Sequence, residues 1–172
     1  MAYTLNTNLR RKENNRMKKS VLISIISLLT IVSCKKDEPD CPTVTLTAPA
    51  AEVATLRKFI HDSSITAVED PRGFFYRIEA PGSGNKPHPC SDVVVNYVGT
   101  LTNGKTFDEA NNAAFNLSGL IIGWQEGIPL IGEGGSIILY LPPTLGYGAR
   151  AQGDIPANSI LIFKIDLKGI ED

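Results

Sequence analysis

The chain has 172 residues, room for one ordinary domain with extra segments and not for two comfortable domains. Apolar residues make up 42% of it, and fifteen Gly with eleven Pro favour turns and strands over long helices. Six basic residues and one acid precede Cys34, so the chain from Cys34 onward carries a balance of −6; an acidic body without a basic stripe excludes nucleic acid as an expected partner.

The first 33 residues read as an address, not as fold. Lys18 and Lys19 follow Met17, the expected true start, and supply a positive flank. Val21 to Val32 is an apolar run of twelve, broken only by Ser and Thr. A membrane-spanning helix needs about 20 apolar residues, so the run fits the core of a signal peptide. Ile31-Val32-Ser33-Cys34 then resembles a lipobox. Cleavage would leave Cys34 at the new N-terminus, carrying a diacylglyceryl group and palmitate-type acyl chains that hold it in a bilayer. The competing reading is an ordinary secretory signal with an incidental Cys. Residues 34–48 are expected to be a lipidated tether, since Lys35 to Asp40 is charged, contains Pro and cannot form core. The same run resembles charged export tags of surface lipoproteins. The implied location is the cell envelope, lipid-anchored at the outer membrane and facing the periplasm or the surface.

Thr43 to Thr47 alternates and predicts a short strand. Pro49 suits a first helical position, and Val53, Leu56 and Ile60 then share one face. A helix of that length is marginal alone, so it must dock on the domain or on a second copy. Residues 49–69 are read as a helical extension, and residues 70–172 as a domain that folds without it. Phe74 to Ile78 predicts an aromatic strand and Val93 to Leu101 a strong one. Asn103-Gly104 is a hairpin signal, because both residues tolerate positive φ. Lys105 to Asp108 returns, and Phe115 to Leu117 is a further short strand. Ile121 to Ile131 is the best helix of the body. Ser136 to Leu141 and Ile160 to Leu167 complete the strands, the latter with Phe163, Ile165 and Leu167 on one face. The class is α+β: an antiparallel twisted sheet of about five strands wrapped over one short helix.

Four segments carry a resemblance: VVVNYVGTLTNGKTFDEA (93–110), IIGWQEGIPLI (121–131), LPPTLGYGA (141–149) and DIPANSILIFKIDL (154–167). In this order and spacing they resemble the FKBP-type peptidyl-prolyl cis-trans isomerases over roughly residues 70 to 170. The resemblance implies a fold in which sheet and helix enclose an apolar cup. Tyr97, Phe107, Phe115, Leu120, Ile121, Ile155 and Phe163 would form its walls and Trp124 its floor. Asp108 and Tyr147 would add polar groups, and the Ile121 N–H would meet a substrate carbonyl. Three departures concern the rim: a short Asp108–Phe115 loop without Arg, Gly119 in place of an acid, and a short Gly148–Ile155 loop without an aromatic or His. Taken singly, Trp124, Phe115 and Phe163 read as core, Asp108 as a turn acid and Tyr147 as a loop brace.

The activity implied is rotation about X-Pro bonds in proline-containing polypeptide clients. Such a reaction needs no nucleophile, metal or cofactor. The sequence has no Gly-x-Ser-x-Gly, no phosphate-binding loop and no zinc pattern, and His61 and His88 stand apart as surface residues. The alternative is a non-catalytic chaperone or partner-binding lipoprotein on the same fold. Cys41 and Cys90 would be bridged in an oxidising compartment or remain two thiols, with no spacing rule to decide. Client identity and oligomeric state are not encoded in any motif.

Overall fold

The structure, a computed structural model, describes Cys41 and residues 44–171. The expected signal peptide, Cys34 and the charged tether to Asp40 lie outside the described residues. Helix α1 covers Ala50–Asp62; strands β1 (Val68–Glu69), β2 (Phe75–Ala80), β3 (Asp92–Leu101) and β4 (Thr106–Asn116) follow. Helix α2 (Ile122–Gly127) precedes β5 (Ser136–Leu141) and β6 (Leu161–Glu171). The six strands form one antiparallel sheet in the order β1-β2-β5-β6-β3-β4. This is the expected antiparallel sheet over a short helix, with one strand more than about five. The addition is β1, two exposed residues paired with Tyr76 and Phe75, too short to show any alternation.

Alternation explains the longer strands. Along β3, Val93, Val95, Tyr97, Gly99 and Leu101 are buried, while the residues between them point outward or sit half-buried. On β6, Leu161, Phe163, Ile165 and Leu167 do the same beside Ile137, Leu139 and Leu141 of β5. The β3–β4 hairpin turns at Asn103-Gly104 as expected: Gly104 has φ +83°, and the Lys105 N–H donates to Asn103 Oδ1 at 2.9 Å.

Three expectations are corrected. The supposed loop from Asp108 to Phe115 is part of a continuous strand. The register slips by one residue between Val95↔Ala113 and Tyr97↔Ala110, which is a β-bulge at Asn111 and Asn112. Asn112 adopts φ +51° and its N–H donates to Asn96 Oδ1 at 2.8 Å. Helix α2 stops at Gly127 and continues only as a 3₁₀ turn, Ile128–Leu130, where Pro129 cannot donate to an α-helical ladder. Residues 44–47 form no strand. The Leu46 N–H donates instead to a side chain, Glu126 Oε1, at 3.3 Å.

Helix α1 docks on its own domain. Val53, Leu56 and Ile60 are the buried face that the spacing predicts. Gly73, at φ +96°, lets the helix approach, since a Cβ there would lie 2.7 Å from Val53 Cγ2. Burial of three such side chains stabilises by about 5–8 kcal/mol, an upper value, against a typical total of about 5–15 kcal/mol. Cys41 and Cys90 are joined by a disulfide, Cα–Cα 5.8 Å across a separation of 49 residues. In the chain-entropy picture a loop of that size contributes about 4 kcal/mol. It ties the segment before α1 to the start of β3.

Helix α2 lies close to the sheet because two of its six residues are glycines facing it. A Cβ on Gly123 would collide with Leu141, and one on Gly127 would lie 2.6 Å from both Leu139 methyls. Both leucines are fully buried and have nowhere to move. Ala in place of Gly gains about 0.5–1 kcal/mol in a helix, whereas overpacking costs about 1–3 kcal/mol. Gly127→Ala is therefore expected to lower stability by about 1–2 kcal/mol. Urea denaturation checks this: the midpoint should fall with an unchanged slope, and a raised midpoint would contradict the close approach.

Candidate active site

The packing of α2 determines where Trp124 stands. Its ring is buried and meets three others nearly at right angles: Tyr97 at 5.1 Å and 82°, Phe163 at 5.2 Å and 88°, Phe115 at 6.0 Å and 86°. Edge-to-face pairs of this kind contribute about 0.5–1.5 kcal/mol each beyond their buried area. The rings come from α2, β3, β6 and β4, so four elements converge on one point. Trp124 Nε1 is buried with no hydrogen-bond acceptor among the described residues.

Above the indole lies a cavity of about 160 Å³ lined by Tyr97, Asp108, Phe115, Leu120, Ile121, Trp124, Tyr147 and Phe163. This small volume suits one ring of a polypeptide better than a cofactor. Of the ten residues expected at the cup, eight line this cavity. Phe107 and Ile155 do not line it. Phe107 stands behind Phe163, edge-on at 5.5 Å and 86°, and Ile155 is buried in the loop after Tyr147. A larger hollow, about 630 Å³, lies between α1 and the β3–β4 turn and contains none of the ten. Size does not select the site here; the convergent rings and the polar pair do.

The polar pair is Tyr97 and Asp108. The Tyr97 hydroxyl donates to Asp108 Oδ2 at 2.7 Å. Burial, and then the Asp108 carboxylate, push the Tyr97 phenol up to about 12. Burial, then the same carboxylate, also raises Tyr147. Both phenols therefore stay protonated at neutral pH, as donors rather than bases.

Two supporting residues escaped the sequence reading. Gln125 is buried, and its Nε2 donates to the Leu120 carbonyl at 2.7 Å. It thereby fixes the segment that presents Leu120 and Ile121. The Ile121 N–H, at the N-terminal end of α2, has no acceptor among the described residues. Gly99 faces the Phe107–Phe163 pair, and a Cβ there would lie 2.6 Å from the Phe107 ring. Nothing in the local pattern marks either residue: Gln125 bonds a carbonyl five residues back, outside the helix, and Gly99 matters only through rings on two neighbouring strands. The described residues contain no group of three His, Cys, Asp or Glu side chains placed to hold a metal.

Glu126 shares α2 with Trp124 and is only 5% exposed. Its Oε1 accepts the Leu46 N–H, while Oε2 has no hydrogen-bond partner and lies 3.9 Å from Arg72 Nε. Arg72 instead grips Asp70 through two bonds of 2.7 and 2.9 Å. Burial raises the Glu126 carboxyl above its ordinary value near 4.5; the Leu46 N–H and Arg72 oppose the shift, and Asp70 adds to it. A raised folded-state value means stability that is present below the unfolded value and lost as pH rises through the folded one. Glu126→Gln removes that titration. Its unfolding free energy relative to the parent should therefore increase as pH goes from about 4.5 to 7. Urea titrations at both pH values test this, and a constant difference would show that the carboxyl is not perturbed.

The comparisons agree with this geometry. A family model described as FKBP-type peptidyl-prolyl cis-trans isomerase matches residues 83–168, half of the chain. The FKBP-type peptidyl-prolyl cis-trans isomerase FkpA of Aeromonas hydrophila is 41% identical over 103 residues, covering 58% of this chain and 38% of that protein. The crystal structure of FkpA from Escherichia coli matches with a TM-score of 0.64 at 35% identity, over 71% of this chain and 60% of that one. A peptidyl-prolyl cis-trans isomerase of Pseudomonas syringae pv. tomato matches at 0.63 with 29% identity, over 78% of this chain and 100% of that one. The chain spans less than half the length of the curated FkpA sequence that it matches. With the family model covering half of its residues and the ring cluster in place, this chain belongs to the FKBP-type peptidyl-prolyl cis-trans isomerase family.

Proposed function

We propose that this protein accelerates rotation about X-Pro peptide bonds in polypeptide clients. The observation that carries the reading is the small aromatic cavity with one hydrogen-bonded polar pair at its edge. Amide resonance sets a barrier of about 18–20 kcal/mol, and X-Pro bonds exchange over tens to hundreds of seconds unaided. The twisted amide has lost C–N double-bond character and is less dipolar than the planar one. A cup walled by Trp124, Phe115, Phe163 and Tyr97 favours it over the planar form and keeps water away. Aromatic walls also fit the pyrrolidine ring. The Ile121 N–H is available to take a substrate carbonyl and orient it. Asp108 and the two phenols supply fixed polarity at the rim and transfer no proton.

Purified variants in a protease-coupled assay on X-Pro tetrapeptides test this assignment. Tyr147→Phe and Asp108→Ala should each lower kcat/KM only modestly, about two- to fivefold, as expected for lost orientation without lost proton transfer. Trp124→Ala should cost far more activity, and about 3–5 kcal/mol of stability as well. Circular dichroism separates the two effects. A folded parent protein that accelerates no X-Pro peptide would overturn the assignment.

The clients are taken to be exported proteins, and the location the cell envelope, with Cys34 acylated and set in the bilayer. The support is the apolar run Val21 to Val32 followed by Ile31-Val32-Ser33-Cys34. No helix among the described residues is long and apolar enough to cross a membrane. On expression of the full chain, the mature protein should partition into the detergent phase, and Cys34→Ala should block processing or release it. A Cys34→Ala protein that matures normally and still fractionates with membranes would contradict the anchor.

A further inference from the structure

Tyr147 reaches the cavity from a loop that belongs to no strand or helix. It is 37% exposed, and its hydroxyl makes no hydrogen bond among the described residues. Its place therefore depends on the backbone beneath it. That backbone is a small frame. A 3₁₀ turn runs from Pro143 to Leu145, with Leu145 fully buried. The Pro143 carbonyl accepts the N–H groups of Gly146 at 2.9 Å and Gly148 at 2.8 Å, and the Gly148 carbonyl accepts the Asn158 N–H at 2.8 Å.

The frame has a weak start. Pro142 and Pro143 have no N–H, so Thr144 carries its first donor, and no side chain next to the turn caps it. The cap comes from 92 residues earlier, on α1. Glu52 Oε2 accepts the Thr144 N–H at 2.8 Å, and Glu52 Oε1 accepts the Thr144 hydroxyl at 2.7 Å. Both bonds are charge-assisted and partly buried, the class that holds geometry best. Glu52 lies outside the residues that the family model covers.

We infer that Glu52 is a positioning residue for the candidate site: through Thr144 it fixes the turn that aims Tyr147 into the cavity. Helix α1 is then a working part of the site and not only a docked extension. The effect on rate rests on the isomerase reading given above; the effect on Tyr147 does not.

The test uses the full chain labelled with 3-fluorotyrosine, with the Tyr147 resonance assigned by its loss in Tyr147→Phe. In Glu52→Ala the Tyr147 line should shift or broaden while the Tyr76 line, on β2, stays in place. Glu52→Gln retains an acceptor for the Thr144 N–H and should restore the line. Thr144→Val keeps the N–H bond and loses the hydroxyl bond, so it should move the line partway, and it decides the matter if Glu52→Ala fails to fold. In the peptide assay Glu52→Ala should cost about two- to fivefold, and this cost should vanish in the Tyr147→Phe background because the two residues act in series. A folded Glu52→Ala protein with an unmoved Tyr147 line would reduce Glu52 to a helix anchor and overturn the inference. So would an equal rate loss with and without the Tyr147 hydroxyl. A parent protein inactive on every peptide would remove the isomerase reading, while the Tyr147 line would still settle the role of Glu52.

Discussion

The contact on which the rest depends is that of a six-residue helix with the middle of the sheet. Gly123 and Gly127 present only hydrogen atoms to Leu141 and Leu139, so α2 settles close enough for Trp124 to reach β3 and β6. Its ring then meets Tyr97, Phe163 and Phe115 edge-on. A helix one methyl group further out would separate these rings and open the cavity to water. Site and core are therefore one structure: the residues that would face a substrate are also those that hold helix to sheet.

The polar groups follow from that arrangement. A cavity walled by rings tolerates few of them, and each one present is tied down or lies at the rim. Tyr97 is held by Asp108, and the segment leading into α2 is held by Gln125. The exceptions are Trp124 Nε1, on the cavity floor, and on the same helix Glu126, a buried carboxyl with one oxygen unpartnered. Its other oxygen meets the segment that precedes α1. That segment is also fixed at Cys90 by the disulfide and at Arg72 by the Ala48 N–H, 2.8 Å from the Arg72 carbonyl. Together with the Glu52–Thr144 bonds, these contacts tie the N-terminal part of the body to α2 beside Trp124 and to the turn that precedes Tyr147.

What the sequence made legible, and what it did not, follows from the range of each interaction. The alternation from Ile160 to Leu167, the Asn103-Gly104 turn and the Val53–Leu56–Ile60 stripe are local patterns, and the structure contains all three. Eight of the ten cup residues converge because a family resemblance carries long-range information that periodicity lacks. The failures are also physical. Asn111 and Asn112 look like loop residues, yet a bulge places them inside a strand. Residues 44–47 alternate like a strand, but the Leu46 N–H bonds a side chain. Phe107, expected at the wall, does not line the cavity; Gly99 leaves room for its ring, which stands edge-on to Phe163. Glu52 and Thr144 are 92 residues apart, and no local pattern links them.

The central claim is that this cavity favours the twisted amide without chemical groups that react. Exchange spectroscopy by NMR on an X-Pro peptide at equilibrium tests it directly, with no coupling enzyme present. Catalytic amounts of the folded protein should bring the cis and trans proline resonances into exchange on a sub-second timescale, against tens to hundreds of seconds unaided. The cis-to-trans ratio should not change. Peptide that binds, with its resonances perturbed, but exchanges at the unaided rate would contradict the account and leave a binding module in its place.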